Sequence, residues 1–166
     1  CTTLSLHTLH QTSNFMPIYR TGDMWSVYDQ ADLFCITTNA SLDSENNLVM
    51  GAGIAGQAKE KFPGLPDRFG TMLRENGAYQ EDEPYGMLFD KETKIAAFQT
   101  KQDWRDDASI KIIAHANIRL FAWLFKNEGK AVHLNYPGIG HGNLNKSLVK
   151  KLIQHLPDRV HILQYE

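Results

Sequence analysis

Apolar positions in this chain switch between short unbroken runs and runs spaced three and four apart, the pattern of strands buried on both faces interleaved with helices. Pro17-Ile-Tyr-Arg20 reads as a short strand ended by Thr21-Gly-Asp23, and Asp32-Leu-Phe-Cys-Ile-Thr-Thr38 as a second, continuous enough for parallel pairing. From Gly51 to Phe62, Ile54, Ala55, Ala58 and Phe62 keep a helical period that Pro63-Gly-Leu-Pro66 stops. Phe69, Met72 and Leu73 predict a helical turn before a polar loop, Asn76 to Pro84. Strands follow at Gly86-Met-Leu-Phe89 and Lys94-Ile-Ala-Ala-Phe-Gln-Thr100, and the polar connection Asp90-Lys-Glu-Thr suits an antiparallel hairpin. Ile110, Ile113, Asn117, Leu120, Phe121 and Leu124 share one face of a long helix that Gly129 terminates. Then come a strand at Ala131-Val-His-Leu-Asn135, a helix from Lys146 to His155 with Leu148, Val149, Leu152 and Ile153 inward, and a last strand at Arg159-Val-His-Ile-Leu163.

This order predicts an α/β fold, a three-layer α/β/α sandwich on a mixed, largely parallel sheet, with ligands at the carboxyl ends of the strands. Residues 1–16 are expected to form an N-terminal extension or edge strand, and 17–166 one domain. No internal repeat, low-complexity tract or linker interrupts the pattern.

Composition narrows the class. At 166 residues the chain can bury one core without a disulfide or metal staple. A net charge of -2 gives no strong signal for clamping duplex nucleic acid, which calls for a basic excess. Two cysteines are too few for a disulfide framework, and Cys35, inside Leu33-Phe-Cys-Ile36, reads as a small buried hydrophobe, so a reducing cytoplasm is expected. No stretch approaches the roughly 20 apolar residues of a membrane span, and residues 1–15 lack the pattern of a signal peptide. A chain that begins with Cys is expected to have been processed or trimmed. His7 and His10 stand three apart with no carboxylate or cysteine joining them, so no metal site and no cofactor are expected.

Two glycine-rich segments carry the chemistry. Asn39 to Ala58 includes Gly51-Ala-Gly53-Ile-Ala-Gly56, and Tyr136-Pro-Gly-Ile-Gly-His-Gly-Asn143 follows the late strand. Each lies between a strand and a helix, so each should offer bare backbone N–H groups beside a helix N-terminus, which can hold a diphosphate without a metal. The first satisfies G-x-G-x-x-G, the fingerprint of dinucleotide folds. In a Rossmann unit, however, the glycines follow the strand directly, and an acidic residue about 20 positions on ends the next strand. Here Asn39 to Met50 intervene, and the region near Glu75 reads as a helical end or loop, which argues against a nicotinamide dehydrogenase.

Thr21-Gly-Asp23, Thr38-Asn39-Ala40, Met50-Gly-Ala-Gly-Ile54 opening a helix, and Pro137-Gly-Ile-Gly-His-Gly142 after a late strand together resemble a macrodomain, the ADP-ribose-binding module. The resemblance runs from about residue 17 to the end. It is closest to the branch that includes the antitoxin macrodomain removing ADP-ribose from DNA and its vertebrate relative acting on protein carboxylates. Gln99-Thr-Lys101-Gln-Asp-Trp104-Arg105-Asp-Asp-Ala-Ser109 is similar to that branch's strand-end motif.

The resemblance implies roles. Asp23 would accept the exocyclic amine of adenine, with Met24 beside it, although a Gly-Asp pair alone reads as a turn. Asn39, with Ala40, would meet the distal ribose, its amide able to donate and accept; without the family it reads as a loop cap. Gly51, Ala52, Gly53 and Ile54 would hold one side of the diphosphate, and Gly138, Ile139, Gly140, His141, Gly142 and Asn143 the other, with Thr100 at the adjoining strand end. Lys101 would attack the anomeric carbon to form a covalent adduct, which needs a neutral amine. Outside this context Lys101 reads as a solvated surface residue, while Trp104 and Arg105 read as packing and tethering the following helix.

One departure stands out. The vertebrate enzyme carries an acidic residue in the second glycine loop, where this chain has only His141, Asn143 and Asn145, and the loop is shortened. His141 is left as the proton-transfer group, imidazole being suited to neutral pH, or as a surface or stacking residue. The implied partner is ADP-ribose, or an ADP-ribosylated protein or DNA. The implied activity is an ADP-ribosyl glycohydrolase (a hydrolase reversing ADP-ribosylation) acting through Lys101 or through water positioned by Asn39. Two alternatives remain: a non-catalytic ADP-ribose reader, and a phosphatase of ADP-ribose 1''-phosphate using His141.

Overall fold

The run Leu33–Thr38 is almost wholly buried because it is the central strand of a sheet covered on both faces. The structure, a computed structural model, describes residues 16–75 and 86–165. Within them β1 (Ile18–Thr21), β2 (Leu33–Thr38), β3 (Met87–Phe89), β4 (Ile95–Gln99), β5 (Val132–Asn135) and β6 (Val160–Gln164) form one six-stranded sheet ordered β1-β6-β5-β2-β4-β3. Every neighbouring pair is parallel except β3 and β4, the hairpin at the edge. The expected mixed, largely parallel sheet is therefore present. The expected 1–16 extension falls, apart from Met16, outside the described residues, as do His7, His10 and the Asn76 to Pro84 loop.

Alternation along the strands divides the core into two layers. Leu33, Cys35, Ala96, Phe98, Val132, Leu134, Val160 and Ile162 face α3 (Ile110–Lys126) and α4 (Lys146–Ile153), which contribute Ile113, Ala116, Leu120, Val149 and Ile153. Phe34, Ile36, Ile95 and Ala97 face a 3-10 helix (Met24–Gln30), α1 (Gly53–Lys61) and α2 (Leu65–Glu75), which bring Met24, Val27, Ala58, Phe69 and Leu73. Cys35 is fully buried, and burial pushes its thiol far above its ordinary value. No helix among the described residues is long and apolar enough to cross a membrane.

Three expectations are corrected, and one element is new. Residues after Pro63 were expected to give one helical turn, but α2 runs for 11 residues. The misleading residues are Pro66 and Gly70: proline costs little in a first helical turn, where its missing N–H has no intrahelical partner. At Gly70 a Cβ would lie 2.1 Å from the Asn46 carbonyl oxygen, so glycine lets the helix touch the neighbouring backbone. Phe121 is 37% and Leu148 47% exposed rather than inward. The buried faces run instead through Ile113, Ala116, Leu120 and Leu124 on α3 and through Val149 and Ile153 on α4, about a quarter turn away. The 3-10 helix was not anticipated; Asp23 caps it by accepting the Trp25 N–H at 3.1 Å.

On the face beneath the 3-10 helix, His133 of β5 and His161 of β6 are register partners stacked 4.6 Å apart. His133 is 2% exposed, and neither of its ring nitrogens has a hydrogen-bond partner. Burial, then the neighbouring His161, Arg20 and Lys94, lower it from 6.5 to about 4. Between those values the unfolded chain binds the extra proton. The neutral ring's contribution is thus complete above pH 6.5 and is lost as pH falls towards 4. We predict that His133→Leu removes a destabilisation on the order of 2 kcal/mol between pH 7.5 and pH 4.5 that the wild type shows in urea melts at those pH values. Parallel pH profiles for the two proteins would refute this.

Candidate functional site

The sheet has one topological switch point. From β2 the chain moves to the β3–β4 hairpin on one side, whereas from β5 it moves to β6 on the other, so the connections at the carboxyl ends of β2 and β5 diverge and leave a crevice. The β2–β5 ladder ends at Cys35 and Leu134. Beyond it Asn135 replaces the lost backbone pairing with its side chain: Oδ1 accepts the Thr37 N–H at 2.9 Å, and Nδ2 donates to Thr37 Oγ1 at 2.8 Å. The side chain thus takes up the Thr37 N–H beyond the end of the ladder.

The parallel strands deliver the sequence-predicted residues to this end. Asp23 and Met24 follow β1, Asn39 and Ala40 follow β2, Thr100 and Lys101 follow β4, and the loop from Gly138 to Asn143 follows β5. Asp23 and Lys101 are four strand spacings of about 4.8 Å apart, roughly 19 Å, so the line of residues suits an elongated ligand.

The two glycine segments face each other across the crevice: a Cβ at Gly53 would lie 3.8 Å from His141 Cδ2. Three further contacts tie the loops around them. Ala40 N donates to the Gln102 carbonyl at 3.1 Å, Ala108 N to the Gly142 carbonyl at 2.9 Å, and Asn143 Nδ2 to Asp107 Oδ1 at 2.9 Å. The segment 101–109 thus bridges the β2 loop and the second glycine loop. Its far end is fixed by Ser109, whose N–H donates to the Thr100 carbonyl and whose side chain caps α3. Thr100 is buried, its N–H and hydroxyl both donating to the Thr38 carbonyl, while Lys101 stands half-buried at the rim.

The N-terminus of α1 differs from those of α3 and α4. Ser109 and Asn145 cap the latter two, whereas Ala52 gives α1 no side-chain cap. The first N–H groups of α1 therefore keep their donors and the positive end of the helix dipole for something else. The glycines divide in the same way. Gly138, at φ +77°, and Gly142 are demanded by packing: a Cβ at Gly142 would lie 2.5 Å from the Gly138 carbonyl oxygen and 2.7 Å from Ala108 Cβ. Gly51 and Gly140 have ordinary backbone angles and nothing within 4 Å of an added Cβ. Packing among the described residues gives no reason for glycine at these two positions, whereas a ligand pressed against bare backbone does.

Asn39 is engaged on both sides. Its Nδ2 donates to the Val49 carbonyl at 3.0 Å, and its Oδ1 accepts the Ser41 N–H at 3.0 Å, closing the 39–49 loop. A cleft of about 460 Å³ starts at Met50, Gly51 and Gly53 of the first glycine loop and runs along α1 past Gln57 to Lys59, Glu60 and Pro63. It takes in none of the second loop, and exposed His141 stands over the gap between the two. Trp104 and Arg105 do not tether α3 through their side chains: both are exposed, and Arg105 folds back onto Asp103. Sequence reasoning missed Ser41, which donates to the Gln102 carbonyl and accepts the Trp104 N–H, and Asp107, which brings to the second loop a carboxylate that loop lacks. Both act across 36 or more positions, and no local pattern signals them.

The fold built around this crevice is that of a macrodomain. It is related to the macrodomains of DarG. Mycobacterium tuberculosis DarG macrodomain superposes with a TM-score of 0.66 at 26% identity, over 90% of this chain and 97% of that one. The Thermus aquaticus DarG macrodomain gives 0.66 at 20%, over 91% and 98%. Thermosipho africanus DarTG in complex with ADP-ribose gives 0.69 at 21%, over 92% of this chain but only 42% of that longer one. No protein-family model and no curated protein matches the chain.

We predict that Gly51→Ala and Gly140→Ala leave the melting temperature within about 2 °C of wild type, whereas Gly142→Ala, overpacked against Gly138 and Ala108, loses about 1–3 kcal/mol. Differential scanning calorimetry of the three variants checks this. Equal losses would mean that packing, not an external ligand, accounts for all three glycines.

Proposed function

We propose that the chain binds ADP-ribose along this crevice and hydrolyses the ADP-ribosyl bond of a modified macromolecule, protein or DNA, releasing ADP-ribose. The observation that carries the reading is the pairing of an uncapped α1 N-terminus, open at Gly51, with a second glycine loop, open at Gly140, that approaches it where His141 meets Gly53. Two facing rows of peptide N–H groups suit a diphosphate, and the solved relative that contains ADP-ribose supports that choice of ligand. Asp23, at the end of β1 two strands beyond β5, is suited to the exocyclic amine of adenine. Half-buried Ile54 and Ile139 supply apolar surface, Met24, Ala40 and Thr100 are buried behind it, and Asn39 and the Asn143 loop border the distal ribose.

In this reading the Lys101 amine attacks the anomeric carbon. The bond to the acceptor breaks, its electron pair leaving with the acceptor, which takes up a proton from His141 or from water. Water then attacks the same carbon, and the lysine leaves as an amine. Asn39 serves chiefly to hold the loop, since both sides of its amide already bond the backbone. Those commitments also favour the reader alternative, in which the same crevice binds without turnover.

Isothermal titration with free ADP-ribose and a release assay on ADP-ribosylated DNA and protein test the reading together. Wild type is expected to bind and to release ADP-ribose, while Lys101→Ala keeps its affinity within about threefold and loses at least about 100-fold in kcat. Binding without release from either substrate would leave a reader, and no saturable heat would refute the ligand itself.

A further inference from the structure

The second glycine loop is closed from within by two bonds, Asn143 N to the Gly140 carbonyl at 3.1 Å and Leu144 N to the Gly138 carbonyl at 2.9 Å. Segment 101–109 holds it from outside by two more at neighbouring residues, Ala108 N to the Gly142 carbonyl at 2.9 Å and Asn143 Nδ2 to Asp107 Oδ1 at 2.9 Å. Asn143 stands at φ +58°, in the left-handed region where glycine costs least and asparagine is better tolerated than most other residues. The loop has glycine at 138, 140 and 142, so asparagine at 143 calls for a use of its amide, and that use is the bond to Asp107. Asp107 has no part in capping α3, which falls to Ser109. Asp107 and Asn143 are both exposed, so their bond adds little to the stability of the fold. A carboxylate beside an anion-binding loop also repels the anion. Its presence there is accounted for if the contact shapes the loop.

Resting on the ADP-ribose reading above, we propose that Asp107 is a positioning residue: through Asn143 it latches the second glycine loop to the strap that begins at Lys101, and so keeps the Gly140 side of the diphosphate grip pre-formed. The latch lies two residues from His141 and three from Gly140, close enough along the chain to fix both. The other foot of the strap is held independently, with Ala40 N donating to the Gln102 carbonyl at 3.1 Å and Ser41 Oγ at 3.2 Å. Breaking the Asp107 contact therefore loosens the second loop without releasing the β2 loop or the strap beside Lys101. A loop that has to be recaptured on binding lowers the apparent affinity by the fraction of time it is in place. Removing the charge alone acts the other way, since it relieves repulsion of the diphosphate.

The test is isothermal titration of free ADP-ribose into wild type, Asp107→Ala and Asp107→Asn, with adenosine titrations followed by NMR as the control. Asparagine keeps an oxygen that accepts the Asn143 amide but carries no charge. Asp107→Asn is therefore expected to bind ADP-ribose as tightly as wild type or up to about threefold more tightly, and Asp107→Ala about five- to tenfold more weakly. Adenosine, which has no phosphate for the second loop, is expected to stay within about twofold across the three proteins, and the melting temperature within about 2 °C. Equal affinities of the Ala and Asn variants for ADP-ribose, or a loss with adenosine that matches the loss with ADP-ribose, overturns the proposal while leaving the ADP-ribose reading intact. Failure of ADP-ribose to bind the wild type removes that reading and this proposal with it.

Discussion

The divergence of β2 and β5 at their carboxyl ends is the constraint on which the rest depends. Where connections leave a parallel sheet in opposite directions a crevice forms outside the strand ends, and here the β2–β5 ladder stops at Cys35 and Leu134. The Asn135–Thr37 side-chain clip holds the two strands together beyond the ladder and pairs the Thr37 N–H. The candidate ligand-binding residues border that gap or extend from it along the same edge. The uncapped α1 turn and the second glycine loop form its walls, and segment 101–109 is a strap bonded to the β2 loop at Ala40 and Ser41 and to the second glycine loop at Gly142 and Asn143. Rigidity comes from backbone bonds to that strap, which leaves the amides of Gly51 and Gly140 without steric cover.

The two functions of glycine in this chain separate cleanly on physical grounds. At Gly70, Gly138 and Gly142 a side chain would collide with backbone or core atoms, so these glycines serve the fold. At Gly51 and Gly140 nothing in the described protein occupies the space a side chain would take. A repeat of glycines in sequence looks uniform; its division into structural and ligand-facing members emerges only from what each missing Cβ would meet. A parallel distinction applies to asparagine. Asn39 and Asn135 both use their amides to close backbone gaps, and Asn145 caps a helix, so the polar side chains nearest the crevice are largely occupied in building it.

Much of this was legible in the sequence because burial on both faces of a parallel sheet writes itself as unbroken apolar runs, as in Leu33–Thr38 and Ile95–Gln99. The order of strands and glycine segments then placed the candidate loops at one end of the sheet, and DarG macrodomains share the resulting fold. What sequence reading lost was set by contacts at long range. Pro66 and Gly70 are helix breakers in isolation, yet one sits harmlessly in a first turn and the other is where α2 meets the Asn46 backbone. Phe121 and Leu148 fit a helical stripe, but which of two adjacent stripes turns inward is decided by the partner layer. The Asp107–Asn143 and Ser41–Trp104 contacts link segments distant in sequence and have no local signature.

The central claim is that two facing rows of peptide N–H groups grip one diphosphate. Amide chemical shifts followed by heteronuclear NMR during titration with ADP-ribose address it at the atoms concerned. The account predicts that the resonances of Gly51 to Ile54 and of Gly138 to Asn143 move together along a single saturation curve, and that adenosine, lacking phosphate, leaves them in place. Shifts confined to one loop, or centred on the outer face of α1 around Lys59 and Pro63, would contradict it.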